Sequence, residues 1–390
     1  MEEYLSQEFK TFRTRVKALV QDTLDPIHHE VEKSEEIPEP VVDQFRELGF
    51  FGLSIPKEYG GLGLSCLEEI LTYEEITRTN ACYRSRIGTS NGIGSMGILY
   101  DGTPEQKQTY LPRIASGEWT AAFALTEPDA GSDAANISTT AVLAGDHWLL
   151  NGTKQFITNA DTAQLFTTIA VTDEEKRARG GVTAFVVERG MPGLSIGARD
   201  AKMGLKGSHT HEVIFKNCRV PQINVIGGNA MVGQGFKTAM RVLDKGRLSM
   251  GACALGACGK ILDICLERLR RLQSAGWKEA QLQSSWFALA DMATELQAAR
   301  AMLYQTARQK DAGANVTTQA SMVKVFCTET ASRSASRGLM ILGRDGVLTR
   351  HQVETFLRDV RLYRIYEGTS EIQRKIIARN LLKQGVEHVC

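Results

Sequence analysis

The chain has 390 residues, 43% of them hydrophobic, and 46 basic against 45 acidic side chains give it a formal net charge of +1. That length allows a large core and two or three domains. The charge balance leaves no bulk field to attract nucleic acid or an anionic membrane. No apolar run reads as a membrane span. The opening MEEYLSQEFKTF, mixed in charge, resembles neither a secretory signal nor an Arg-rich transit peptide. Eight cysteines are scattered without a C-x-x-C pair, and Cys253, Cys258 and Cys265 read as small buried packing residues on a helix. A reducing cytoplasm is the expected location.

Residues 1–120 read as helix after helix. Phe9, Phe12, Val16, Leu19 and Val20 recur at helical spacing, as do Val41, Val42, Phe45 and Leu48. PKEYGGLGL (56–64) is glycine-rich but lacks the spacing of a phosphate loop, so it reads as a connector. Thr103-Pro104-Glu105 opens another helix. The texture changes after Gly117. Residues 119–125 are apolar and strand-like, and TEPDAGSD (126–133) is a turn crowded with hydroxyls, acids and glycine. Short runs follow at 139–143, 147–150, 166–171, 183–187, 194–196 and 212–215. Asn151-Gly152, Gly180-Gly181 and Pro192-Gly193 read as the turns between them, which suggests a small antiparallel barrel or sandwich. His209 and His211 alternate as on a strand; two histidines without a third ligand favour a solvated loop over a metal site. From Gln234 the helical texture returns, with a small-residue helix around Ala252–Gly259 and long amphipathic segments at 289–304 and 321–337. The order helical, β, helical, without repeats or low-complexity linkers, argues for one α+β multidomain unit with a β middle domain.

The densest chemistry lies in RLYRIYEGTSEIQRKIIARNLL (361–382). Glu367 and Gly368 break two helices. Ser370 with Gln373 has the capping-box pattern, which places a helix start near Thr369. Ile372, Ile376, Ile377 and Leu381 give that helix an apolar face, expected to be buried. A carboxylate beside a glycine at a helix start fits a base; taken alone, it reads first as a charge complementing the helix N-terminus.

Three motifs together carry a resemblance: FALTEPDAGSD (123–133), QFITN (155–159) and IYEGTSEIQR (365–374), supported by LDKGR (243–247) and LADMATELQAAR (289–300). Over nearly its whole length the chain resembles the acyl-CoA dehydrogenase family. The resemblance implies a helical N-terminal domain (1–120), a middle antiparallel β-barrel (121–235) and a C-terminal four-helix bundle (236–390). It implies FAD as cofactor and an acyl thioester as substrate, carried on CoA or acyl carrier protein. It further implies a homo-oligomer, dimer or tetramer, and an electron-transferring flavoprotein as partner.

The implied chemistry explains the residue types. An acyl thioester has a weakly acidic α-carbon, so its proton needs a base held against it and a stabilised enolate. The β-hydrogen leaves as hydride to a cofactor, since no side chain accepts one. Glu367 matches the family's base, and its backbone N–H, with a flavin ribose hydroxyl, would polarise the carbonyl. Phe123, Leu125, Thr126, Gly131, Ser132, Phe156, Ile157, Thr158, Thr369 and Glu371 match flavin-side positions, Phe156 standing where tryptophan is usual. Ser132, Asp244, Arg247 and Gly368 match substrate-side positions, although Asp244 and Arg247 also suit a plain i, i+3 ion pair.

Two departures stand out. Counted without gaps, the family's interface arginine falls on Leu272, and Arg270 and Arg271 point elsewhere on the helix. In the later glycine-rich patch, Met340 replaces a glutamine and Arg344 a glycine. Both patches usually hold a neighbour's FAD. A working homo-oligomeric enzyme, or one subunit of a hetero-oligomer with little activity alone, follows; the intact Glu367 favours the enzyme.

Overall fold

The computed structural model describes residues 5–386; residues 1–4 and 387–390, with the eighth cysteine, lie outside the described residues. The first third is helical. α1 (Gln7–Leu19) starts at Ser6, whose hydroxyl accepts from the Phe9 amide, and buries Phe9, Val16 and Leu19. There follow α2 (His28–Ser34), α3 (Glu39–Glu47), α4 (Cys66–Ile76), α5 (Cys82–Asn91), α6 (Met96–Asp101) and α7 (Pro104–Ala115). Capping boxes open α4 (Ser65 with Glu68) and α7 (Thr103 with Gln106). α5 differs from its neighbours. Nine of its ten residues are buried, so it runs through the interior, yet it carries Arg84, Ser85 and Thr89.

The middle third is a β half-barrel sheet. Its strands are β1 (Ala121–Ala124), β2 (Thr140–Ala144), β3 (His147–Thr158), β4 (Leu165–Val171), β5 (Val182–Glu188), β6 (Leu194–Arg199) and β7 (Thr210–Pro221). They form one sheet in the order β1-β4-β2-β3-β7-β6, with β5 on β4. The pairing is mainly antiparallel, but β1 lies parallel to β4, and β2 meets β4 in parallel at Thr140 and Val171. The β2–β3 hairpin is inserted between β1 and β4 in the chain, so β1 reaches its partner only by a crossover. Asn151-Gly152, expected as a turn, lies inside β3. The register against β7 shifts between Leu150 and Gly152 and again between Lys154 and Ile157. Gly152 is needed there because a Cβ would come within 2.8 Å of Thr139 Cα.

The last third comprises α8 (Gly235–Ser274), α9 (Glu279–Asp311), α10 (Thr317–Leu342), α11 (Gln352–Tyr363) and α12 (Ser370–Gln384). α10 packs against all four others, and α4 of the first third packs on α8 and α9. Gly251, Gly256 and Gly259 let α8 approach its neighbours; a Cβ on Gly256 would sit 2.4 Å from the Glu74 carbonyl. α8 corrects one expectation. It is long and apolar enough to cross a membrane, with 78% of its apolar window buried inside the protein. Its apolar stretch combines leucines and isoleucines with small alanines, glycines and cysteines that allow close packing, and it is mostly buried, so it is a core helix. Cys253, Cys258 and Cys265 are buried in it.

α12 corrects another. Thr369 is the N-cap, accepting from the Ile372 amide, rather than Ser370 paired with Gln373. Its face of Ile372, Ile376, Ile377 and Leu381 is only half-buried in the single chain, and Leu382 is exposed.

Candidate active site

A cavity of about 250 Å³ lies where the three parts meet. Its walls come from α5, the loop after β1, the end of β3, α8 and the α11–α12 connection. Phe123, Leu125, Thr126, Gly131, Ser132, Phe156, Ile157, Thr158, Arg247, Glu367 and Gly368 all line it. Asp244 stands one turn before Arg247, outside the lining, and pairs with it at 2.5 Å, so the i, i+3 ion pair is present and only Arg247 faces the cavity. Thr369 and Glu371 lie outside this lining: Thr369 caps α12, and the exposed Glu371 faces Arg374.

Glu367 is the focus of the geometry. Its backbone is left-handed, with φ 54°, a conformation that non-glycine residues rarely adopt and that costs about 1–3 kcal/mol. The surroundings hold it there. Lys324, buried on α10, donates to the Gly368 carbonyl at 2.6 Å. The Gln373 amide donates to the Glu367 and Gly368 carbonyls, both at 3.2 Å. Burial pushes the Lys324 ammonium down to about 8, against the opposing pull of Glu367. Gly368, at φ 89°, completes the turn.

The Glu367 side chain is 5% exposed. One oxygen, Oε1, accepts from Arg84 Nη2 at 3.1 Å. The other, Oε2, is buried with no hydrogen-bond partner. It occupies space that a Cβ on Gly246 of α8 would fill at 1.8 Å. The carboxylate is therefore water-poor, half-satisfied and rigidly placed, as a base aimed at a carbon acid must be.

Arg84 was not singled out in the sequence. Its guanidinium also donates to Ser249 and lies 5.6 Å from the Tyr73 ring centroid. Burial opposes its charge, but the Glu367 carboxylate and smaller neighbouring contributions together outweigh that and raise its pKa. Gly88, one turn on, clears its path: a Cβ there would meet Arg84 Nε at 2.9 Å.

A second buried ion pair braces the loop after β1. Lys154 of β3, wholly buried, donates to Glu127 at 2.8 Å and to the Leu125 carbonyl at 3.0 Å. Glu127 also accepts from the Ser138 amide at 2.6 Å, the Ser138 hydroxyl at 2.7 Å and the Thr139 amide at 2.9 Å. Burial works against its charge, yet Lys154 and these donors pull the carboxyl down to about 2. The pair ties the 125–132 loop to the bulged end of β3. There Phe156 adopts φ 57° and is 56% exposed while lining the cavity.

The wall between these loops fits a flat ring with hydrogen-bonding edges. Phe156 offers an aromatic face. The register slip between Lys154 and Ile157 takes the Gln155–Phe156 backbone out of the ladder with β7, and Thr126 and Thr158 add hydroxyls.

The histidine pair sits elsewhere and is not a solvated loop. His209 contacts Asp161 at 2.6 Å and the Glu35 carbonyl at 2.8 Å, which pins the β6–β7 loop to the end of α2. Leu272 packs half-buried on the helical core, and Arg344 is exposed in a short 3-10 turn. In the same helical third Trp277, Phe287, Met340, Val347 and Leu348 are exposed.

Comparison with known proteins agrees along the whole chain. Family models match in three consecutive pieces: the acyl-CoA dehydrogenase N-terminal domain over residues 6–118, the middle domain over 122–218 and the C-terminal domain over 233–382. An acyl-CoA dehydrogenase of Bacillus subtilis is 38% identical over 379 residues, 97% of this chain and 99% of that protein. Subunit CarC of the caffeyl-CoA reductase-Etf complex of Acetobacterium woodii is 37% identical, over 98% of this chain and 100% of its own length. The structure of butyryl-CoA dehydrogenase from Megasphaera elsdenii matches with a TM-score of 0.92 at 32% identity, covering 97% of this chain and 99% of that one.

Proposed function

From a chain that belongs to the acyl-CoA dehydrogenase family, flavoprotein oxidoreductases acting on CH–CH groups, we propose α,β-dehydrogenation of an acyl-CoA with Glu367 as the base. The observation that carries this reading is the buried, half-satisfied carboxylate held over Gly246 by a strained turn. FAD, when bound, supplies the hydride acceptor for the β-hydrogen. The chain's own residues do the rest. Phe156, Thr126, Thr158 and the bulged backbone of β3 would hold the ring, and Ser132 and Gly131 would bound the space beside it. Glu367 takes the α-proton on its free Oε2, and its backbone N–H polarises the thioester carbonyl, so the developing enolate meets a fixed donor. Lys324 and Gln373 keep the turn from relaxing away from the α-carbon. Ile372, Ile376, Met240 and Leu243 keep water from the reacting atoms.

The proposal extends to the assembly. The exposed apolar surface around Trp277, Phe287 and Met340 suits burial against a second copy of the chain, giving a dimer or tetramer. The electron acceptor is a flavoprotein of the electron-transferring type, as the name of the CarC relative's complex suggests. A cytoplasmic location agrees with the described cysteines being free thiols. Leu272 and Arg344, in place of the usual patch residues, support the second reading of a subunit that shares a cofactor site with a different partner.

The test is the visible spectrum of the protein purified alone, followed by anaerobic titration with acyl-CoAs of graded length. The dehydrogenase reading expects yellow protein that bleaches with a preferred thioester. Protein that stays oxidised with every CoA ester but bleaches with an acyl-carrier-protein thioester moves the substrate to that carrier. Colourless protein that takes up no FAD overturns the reading in favour of the shared-site subunit.

A further inference from the structure

We infer that His209 acts as an imidazolium and is a positioning residue for the wall around Phe156 and Thr158, so that the grip of this wall on FAD weakens once the histidine loses its proton. The inference rests on reading that wall as the flavin site. Both ring nitrogens of His209 face acceptors. Nδ1 lies 2.6 Å from Asp161 Oδ2, and Nε2 lies 2.8 Å from the Glu35 carbonyl, with Glu36 Oε1 at 3.4 Å. Burial opposes the Asp161 charge, but the bond to His209 and its neighbours hold that carboxyl below the usual range, so it brings no proton of its own. A neutral imidazole has one N–H. It satisfies one side and turns a lone pair toward the other, whereas the cation donates to both.

The wall needs that tie. Phe156 and Asn159 both have left-handed backbones, with φ 57° and 61°. Beyond the register slip, β3 pairs with β7 only through Ile157 with His211 and Thr158 with Thr210. The next tie is the Asn159 amide, which donates to the His209 carbonyl at 3.0 Å. Asp161 follows two residues later. His209 thus holds the end of β3 through its backbone and its ring, and anchors it to α2. Gly207 lets the loop lie this close, because a Cβ there would meet Val31 of α2 at 2.8 Å. When the ring loses its proton it releases Asp161 or Glu35, and the strand end is held less firmly. The apparent affinity for FAD then falls with the fraction of protein whose wall is ordered.

The charges around His209 come from several elements. On α2, the Glu35 carboxylate is taken by Lys206 at 2.6 Å and Arg199 at 2.9 Å, which leaves Glu36 facing the ring. The β6–β7 loop adds Asp200 and Lys202, and the His211 ring centroid on β7 is 6.4 Å away, its charge disfavoured by burial. Arg189, after β5, donates to the Asp161 carbonyl at 2.9 Å, and Arg86 of α5 acts on Asp161 at longer range. The Asp161 hydrogen bond raises the His209 pKa against the effect of burial. The folded value therefore lies above the unfolded one. The clasp is complete below about pH 6.5 and is lost as pH rises through the folded value.

The experiment measures the FAD dissociation constant of the full chain from pH 6 to pH 9. Wild type is expected to bind about tenfold more weakly at the alkaline end, the worth of one charge-assisted bond. Asp359, Lys324 and Lys154 titrate in the same range, at about 7, 8 and 8, so variants isolate the histidine. His209→Gln should bind weakly at pH 6 and lose most of the pH dependence. Asp161→Asn keeps an acceptor without the charge and should move the midpoint to lower pH. If His209→Gln fails to fold, the wild-type and Asp161→Asn curves decide. A wild-type constant that does not change with pH overturns the inference and leaves the flavin site intact. So does a folded His209→Gln with the wild-type slope, or an Asp161→Asn midpoint that stays in place. Wild type that takes up FAD at no pH overturns the inference together with the reading beneath it.

Discussion

Two buried cation–carboxylate pairs flank one cavity, and they differ in how completely the carboxylate is satisfied. Glu127 has Lys154, two amides and a hydroxyl on its two oxygens, and its side chain is 3% exposed. Glu367 is as deeply buried but has one contact from Arg84 and an oxygen with none. The first pair is closed: all its bonding capacity goes into fixing the loop that carries Thr126 and Ser132. The second is open: Glu367 lines the cavity, and its Oε2, seated over Gly246, has bonding capacity left. Burial alone does not mark a working group; burial with bonding left unmet does.

Breaking the closed pair should harm folding rather than chemistry. Lys154→Met leaves Glu127 charged and without its cation, which should cost about 3–5 kcal/mol of stability, read as a lowered denaturant midpoint. A midpoint equal to wild type would mean that the pair does not fix the loop. Crowding the open pair should do the reverse. Gly246→Ala places a methyl group where Glu367 Oε2 lies, so the carboxylate must shift. A displacement of about 1 Å should lower turnover about 10²-fold with the fold retained. Undiminished turnover would show that the base does not act from this position.

The smallest effect sharpens the same contrast. Glu127 has a folded-state pKa of about 2, below its unfolded value, so its contribution is present above the unfolded pKa and lost as pH falls through the folded one. Acid titration of stability should show this loss between about pH 4 and pH 2. Glu127→Gln should flatten that limb, and an unchanged limb would assign the acid sensitivity to other groups.

Much of this arrangement was legible in the chain. The change of texture after Gly117 and again at Gln234 marked the β middle, and the motifs at 123–133, 155–159 and 365–374 named most of the residues that line the cavity. The other half of the constellation was not. Arg84 sits in a helix that does not separate polar from apolar faces, and an isolated arginine gives no local sign that it is buried against a partner 283 positions away. Lys324 is equally silent, because its role lies in reaching the Gly368 carbonyl from another helix. Gly246 did leave a trace, a glycine inside a long helical pattern, which signals close approach of something not visible in sequence. Asn151-Gly152 misled for a related reason: a bulge and a turn use the same residues. The face of α12 was read as buried because periodicity reports which side is apolar and not what covers it.

The central claim is that Glu367 removes the α-proton from its unsatisfied oxygen. The most direct measurement is exchange of that proton in heavy water. Wild type and Glu367→Gln, both flavin-loaded and anaerobic, are mixed with the preferred thioester, and deuterium at the α-carbon is followed by mass spectrometry. Wild type should incorporate deuterium, and the glutamine variant, still yellow and still binding thioester, should exchange about 10²–10⁴-fold more slowly. Exchange at the wild-type rate in that variant would contradict the account.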